Sequence, residues 1–171
     1  MSVKIKLKKL NENAKLPTQG KPGDFCYDVW AVSEKEVAPN VWEYGLGLAY
    51  EFDDSYYVLA RGANEWSSSR TAEVLNLSID FRCRSSVWKT GMVLSNACGT
   101  LDYFYRGEAK AVFYHVMPNM PRYKVGDKIG QIKIGITIPA EFEFVDEINM
   151  NTERGTGGFG STDRKKEKET E

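Results

Sequence analysis

Ile132, Ile134, Ile136 and Ile138 alternate without interruption with Lys133, Gly135 and Thr137. A repeat of two residues puts like side chains on one face only if the chain is extended. The same period recurs at Val3, Ile5 and Leu7 between lysines, at Leu75, Leu77 and Ile79, and through "AEFEFVDEI" at 140–148. Each stretch predicts a strand with one buried face. "SYYVLA" (55–60) and "AVFYHV" (111–116) are rich in β-branched and aromatic residues, which predicts more fully buried strands. Turn chemistry separates them at Pro17 to Gly23, Pro39-Asn40, Asp53-Asp54, Pro118 to Pro121 and Gly126-Asp127. Many short strands with no sustained 3.6-residue period predict an all-β sandwich or a barrel-like jelly roll.

At 171 residues and 42% hydrophobic content, the chain is long enough for a single domain that buries roughly 70% of its unfolded surface. "RGANEWSSSRTAE" (61–73) is too polar and too long for a hairpin turn and reads as a surface insertion. "DRKKEKETE" (163–171) has nothing to bury and reads as a disordered tail. Basic residues number 23 and acidic ones 24, interspersed along the chain, so no direct nucleic-acid surface is expected. Cys26, Cys83 and Cys98 are odd in number and lack C-x-x-C spacing, and His115 is the sole histidine. That pattern argues against a disulfide framework and against structural zinc, and it fits a reducing compartment. "MSVKIKLKKL" has no continuous apolar core, so neither a signal peptide nor a membrane span is expected there. The expected location is the cytoplasm, or a host's cytoplasm for a viral source.

"RGTGGFGST" at 154–162 contains a literal G-x-G-x-x-G, Gly155 to Gly160. A dinucleotide loop needs a strand before it and a helix after it, because the helix N-terminus holds the pyrophosphate. Here "NMNTE" precedes and a charged tail follows. The P-loop reading fails as well, since Ser161 stands where that loop has lysine. Three readings remain: a linker, a structural turn, or a flap over an anionic ligand. For a flap, Arg154 offers a planar fork to phosphate oxygens, Ser161 and Thr162 offer hydroxyls, and Phe159 offers a ring to cover a base.

"CRSSVWKTG" (83–91) sets Arg84 beside Ser85 and Ser86 just after a predicted strand, a workable phosphate seat. "NACGTLDYFYRGEAK" (96–110) puts Asp102 and Tyr105 on or beside a predicted β-hairpin that leads into 111–116. A carboxylate held there can act as a general base towards water. It can equally be a turn-former, with Tyr105 a core aromatic.

In order along the chain, "CYDVWA" (26–31), "RSSVWKTG" (84–91), "NACGTLDYFYRGE" (96–108), "GDKIGQIKI" (126–134) and "RGTGGFGST" (154–162) resemble the five motifs of the homotrimeric dUTP pyrophosphatase (dUTPase) family. The resemblance implies an all-β jelly-roll or β-barrel protomer of the β-clip type over 1–153, with a glycine-rich arm over 154–162 exchanged in a trimer. It implies hydrolysis of dUTP to dUMP and pyrophosphate, which limits uracil in DNA and supplies dUMP for dTMP synthesis. Asp102 is thereby implied as the carboxylate that activates the attacking water and touches the sugar 3′-hydroxyl. Tyr105 becomes the ring under deoxyribose, where a 2′-hydroxyl would collide. Asn96, the main chain of Gly99, Thr100 and Leu101, and Lys110 are implied in reading uracil, whose donor and acceptor pattern cytosine reverses. Arg84, Ser85, Ser86 and Gln131 are implied in holding phosphates, joined from the arm by Arg154, Phe159, Gly160, Ser161 and Thr162. Asp28 matches the family's acidic residue that reaches Mg²⁺ through bound water, the ion being held mostly by substrate and water.

The sequence departs from the family's usual pattern at Phe25-Cys26, Cys83, Phe104 and Asp163, none of which removes a reacting group. Two other functions share the fold: a dCTP deaminase-like enzyme, which lacks this hairpin and arm, and a nucleotide-gated regulatory protein that meets a protein partner through 61–73. Truncation after Glu153 is expected to keep the trimer and most nucleotide binding while greatly lowering turnover. Pyrophosphate release measured beside the full chain checks this, and undiminished turnover would refute the flap.

Overall fold

Most of the alternating stretches become strands in the computed structural model, which describes residues 4–52, 57–60, 72–137, 140–153 and 155–156, with backbone alone for 57–60 and 72–76. In chain order the strands are β1 (Ile5–Lys9), β2 (Tyr27–Trp30), β3 (Ser33–Ala38), β4 (Val41–Gly45), β5 (Leu48–Phe52), β6 (Tyr57–Ala60), β7 (Ala72–Arg82), β8 (Met92–Leu94), β9 (Gly99–Leu101), β10 (Lys110–His115) and β11 (Lys128–Thr137). Helical structure among the described residues is confined to one 3₁₀ segment, Ser85–Lys89. No described helix is long and apolar enough to cross a membrane.

One sheet has the order β3-β4-β10-β8, a second β2-β11-β7-β6 with β9 also on β7, and β1 pairs with β5. The two larger sheets meet through aromatic rings. Phe113 of β10 is fully buried and packs edge-to-face on Tyr44 of β4 at 5.9 Å and on Phe81 of β7 at 6.2 Å, separations at which ring edges and faces attract. Val29, Ile79 and Ile129 complete this fully buried set.

Two glycines shape the framework. Gly47 has φ +66°, and a Cβ there would collide with Asn11, Val32 and Ala14. It makes the corner at which the chain leaves β4 in the first sheet and enters β5 beside β1. Gly130 lies under the Phe81 ring, where no Cβ fits. The register between β11 and β2 shifts between Lys128 and Gly130, and a bulge of this kind re-aims the side chains next to it.

The structure corrects several expectations. β10 is not buried on both faces: Ala111 and Phe113 are buried, whereas Tyr114 is exposed and Val116 lies beyond the strand. The buried face of β11 ends early, since Ile132 is buried but Ile136 is 62% exposed. β6 and β7 form a long hairpin with Ala60 opposite Ala72. The last two residues of the expected insertion, Ala72 and Glu73, are therefore strand, and 61–71 lie outside the described residues.

The chain divides into two compact units, Met1–Pro139 and Ala140–Glu171. The described part of the second contains no strand, although 140–148 alternates. Alternation supplies a face, but a strand also needs a neighbour for its backbone N–H and C=O groups, and no described residue provides one. Phe142 and Phe144 are accordingly fully exposed, at 96% and 109%.

Gly47→Ala is expected to destabilise the protein by about 3 kcal/mol, from a left-handed alanine and crowding against a filled corner. Urea unfolding at neutral pH measures it, and a loss under 1 kcal/mol would refute the packing argument.

Candidate active site

Asp28 of β2 is the buried charged residue of the described chain, at 8% exposure. A buried carboxylate needs partners, and it has one for each oxygen: Arg84 Nε donates to Oδ1 at 3.0 Å, and Lys128 Nζ to Oδ2 at 2.8 Å. The β11 bulge supplies Lys128, whose ammonium also lies 5.4 Å over the Trp30 ring. Burial pushes the Asp28 carboxyl up. The Lys128 hydrogen bond and the charges of Arg84 and Lys128 more than offset this and hold it below the usual aspartate value.

Arg84 lies two residues past β7 and immediately precedes the 3₁₀ segment, where its Nη1 meets Ser86 Oγ at 3.4 Å. Gln131 of β11 lies opposite Asp28 and donates to the Cys83 carbonyl at 3.3 Å. Asp28, Arg84, Ser85, Lys128 and Gln131 line a cavity of about 570 Å³, completed by the loop from Gly20 to Cys26. Cations, hydroxyls and an amide around such a space suit phosphate oxygens.

For Mg²⁺, the donor set is sparse. No group of three His, Cys, Asp or Glu side chains is placed to hold a metal among the described residues, and both oxygens of Asp28 already accept charged donors. Asp28 is the residue that would meet a Mg²⁺ ion here, through water, and the described residues would not cage one.

A second cavity, of about 370 Å³, is lined by Leu77 and Ser78 of β7, Thr137 of β11, and Thr100, Leu101, Asp102, Tyr103 and Phe104. The expected hairpin around Asp102 and Tyr105, turning into 111–116, does not form by pairing of β9 with β10. β9 pairs with β7, and β10 already has β4 on one edge and β8 on the other. Residues 102–109 instead form a braced turn between two sheets. Tyr105 N–H donates to the Asp102 carbonyl at 3.0 Å, Tyr105 Oη to the Glu108 carbonyl at 2.9 Å, and Arg106 Nη1 to the Tyr103 carbonyl at 2.6 Å. A Cβ on Gly107 would displace the Tyr105 ring and hydroxyl from where they stand. Tyr105 is 46% exposed and so is not a core aromatic, and Asp102 is exposed at the cavity.

Asn96 is exposed, and its amide approaches to 3.3 Å from where a Cβ on Gly99 would stand. Thr100 Oγ1 donates to Asp80 at 2.9 Å. Lys110 opens β10 with its ammonium on Glu43 at 2.8 Å, which raises its pKa. Arg154, Phe159, Gly160, Ser161 and Thr162 lie outside the described residues, as does the tail at 163–171.

The first cavity therefore gathers Asp28, Arg84, Ser85 and Gln131, while the second gathers Thr100, Leu101 and Asp102. Gln131 and Thr137 mark the two on one strand, and six residues at the strand rise put about 20 Å between them. The sequence reading missed Lys128, although it sits inside "GDKIGQIKI", because nothing local signals that a bulge turns it towards Asp28. It also missed Lys21 and Asp24, on the loop before β2.

No protein-family model matches the chain. A deoxyuridine 5′-triphosphate nucleotidohydrolase of Yarrowia lipolytica is 32% identical over 172 residues, covering 98% of this chain and 95% of its own. The chain belongs to the deoxyuridine 5′-triphosphate nucleotidohydrolase, or dUTPase, family. Its fold is the all-β jelly roll of dUTPases. A variant of the Staphylococcus bacteriophage 80alpha dUTPase, solved with dUpNHpp, superimposes with TM-score 0.69 at 19% identity, covering 93% of this chain and 98% of that one. A variant of the dUTPase from phage phi11 of S. aureus, described with a structural Mg(II) ion, gives TM-score 0.60 at 17% identity, covering 84% and 97%.

In this dUTPase-family chain the depressed pKa of Asp28 sets a pH window. Its contribution to stability is full above the unfolded value of about 4 and is lost as pH falls through the lower folded value. The stability gap between wild type and Asp28→Asn is expected to be widest above pH 4 and to shrink below it. Urea unfolding from pH 7 to pH 3 tests this; a gap independent of pH would count against the triad.

Proposed function

We propose that this chain hydrolyses dUTP to dUMP and pyrophosphate. The observation that carries the reading is the coexistence, in a dUTPase-family fold, of a cationic cavity around Arg84 and a braced turn that exposes Asp102. Asp102 takes a proton from the water that attacks the α-phosphorus, and the bond to the bridging oxygen breaks to release pyrophosphate. Arg84, Ser85, Ser86 and Gln131 hold the phosphates. Tyr105 packs under deoxyribose, and Asn96 with the main chain of Gly99 to Leu101 and of Lys110 reads uracil. Asp28 is the residue that would meet a Mg²⁺ ion through water, and such an ion would supply neutralisation of phosphate charge.

The family resemblance implies a homotrimer with shared sites, in which one copy supplies Asp102 and another Arg84. The spacing supports this reading: about 20 Å of strand separates the residues that mark the two cavities, and a general base must lie within hydrogen-bond reach of its water. The arm, with Arg154, Phe159, Gly160, Ser161 and Thr162, closes over the nucleotide and excludes water. Three free cysteines accord with a cytoplasmic setting.

Pyrophosphate release is expected from dUTP with Mg²⁺ and little from dCTP, dTTP or UTP. Asp102→Asn is expected to lower kcat by about a thousandfold, the scale of a lost general base, with dUTP-analogue affinity retained. Comparable turnover of dCTP would sink the substrate assignment.

A further inference from the structure

The loop before β2 presents a lysine that the site so far does not use. Thr18 and Asp28 exchange backbone hydrogen bonds of 3.3 and 2.7 Å, which tie the loop to the strand that carries the buried carboxylate. Lys21-Pro22-Gly23-Asp24 then forms a closed turn. Asp24 N–H donates to the Lys21 carbonyl at 3.2 Å, Asp24 Oδ2 accepts the Lys21 N–H at 2.8 Å, and Gly23 has φ +94°. Proline second and a left-handed glycine third are the residues of a type II turn. The turn is therefore stiff, and Lys21 lines the same cavity as Arg84 and Lys128.

The charges around this cavity are not equivalent. Arg84 and Lys128 share the single carboxylate of Asp28, so part of their charge is already answered. Asp24 is occupied with the Lys21 backbone N–H. The Lys21 ammonium has no partner among the described residues. A polyanion entering the cavity meets on this turn a cation that makes no ion pair among the described residues.

We propose that Lys21 binds the terminal phosphates of the nucleoside triphosphate, the part that leaves as pyrophosphate. The assignment rests on the dUTPase reading above. A lysine suits the task because its ammonium is a mobile point charge that needs no fixed fork. The α-phosphate has to sit with Asp102 of one copy, so the Arg84 and Lys21 cavity of a neighbouring copy takes the other end of the chain of phosphates.

The test is calorimetric titration of the full-length protein with α,β-imido-dUTP, dUMP and inorganic tripolyphosphate, for wild type, Lys21→Gln and Lys21→Arg. Lys21→Gln is expected to weaken imido-dUTP and tripolyphosphate about tenfold, the scale of one charge-assisted hydrogen bond, and dUMP less than twofold. Lys21→Arg is expected to restore most of the loss, and added salt to narrow the difference between wild type and Lys21→Gln. Unchanged imido-dUTP affinity in Lys21→Gln, or an equal loss for dUMP, overturns the assignment. Equal binding of the imido analogues of dUTP and dCTP by the wild type would instead remove the substrate reading, and the tripolyphosphate arm would still decide the role of Lys21.

Discussion

The ladder between β7 and β11 is the rigid member from which both cavities hang. Gln131 to Thr137 lie opposite Arg82 to Asn76 without a break in register, and a ladder of that length bends little. One end leads from Arg82 into the Arg84 turn, and the other carries Leu77, Ser78 and Thr137 at the Asp102 cavity. The separation between phosphate seat and carboxylate is thus set by backbone hydrogen bonds and not by side-chain choice.

At the phosphate end, one carboxylate organises everything else. Burying Asp28 with two cations is not by itself a strong source of stability, because desolvation of the three charges offsets much of their attraction. Its effect is on orientation. With Nε fixed on Asp28 and one terminal nitrogen at Ser86, the guanidinium plane is set, and donors remain for a phosphate. Lys128 is drawn to the same cavity only because the bulge at Gly130 re-aims it, and that bulge exists where the Phe81 ring leaves no space for a side chain. The aromatic core and the anion site are therefore linked through one missing Cβ.

Much of this was legible in the residues. Alternation located β1, β7 and β11 because a buried face leaves a period-two record, and the motif resemblance assigned Arg84 and Gln131 to phosphates and Asp28 to Mg²⁺ through water, residues that the structure brings to one cavity. Three features left no local record. Whether 99–101 pairs with the strand that follows or with β7 depends on which edges are already filled, and β4 and β8 fill those of β10. The exposure of Ile136 and Tyr114 depends on where the second layer ends, which alternation does not encode. Lys128 depends on a register shift, and a shift by one residue sends a side chain to the other face.

The same logic explains why 140–148 misled. Its alternation of phenylalanine with glutamate is as regular as that of β11, yet Phe142 and Phe144 stand in solvent. Periodicity reports that a segment has an apolar face; it does not report whose surface covers that face. Within 140–153 the backbone has no ladder partner among the described residues. The proposed homotrimer would supply the missing edge from a neighbouring copy, and the same assembly would bring together the two cavities that one chain holds apart.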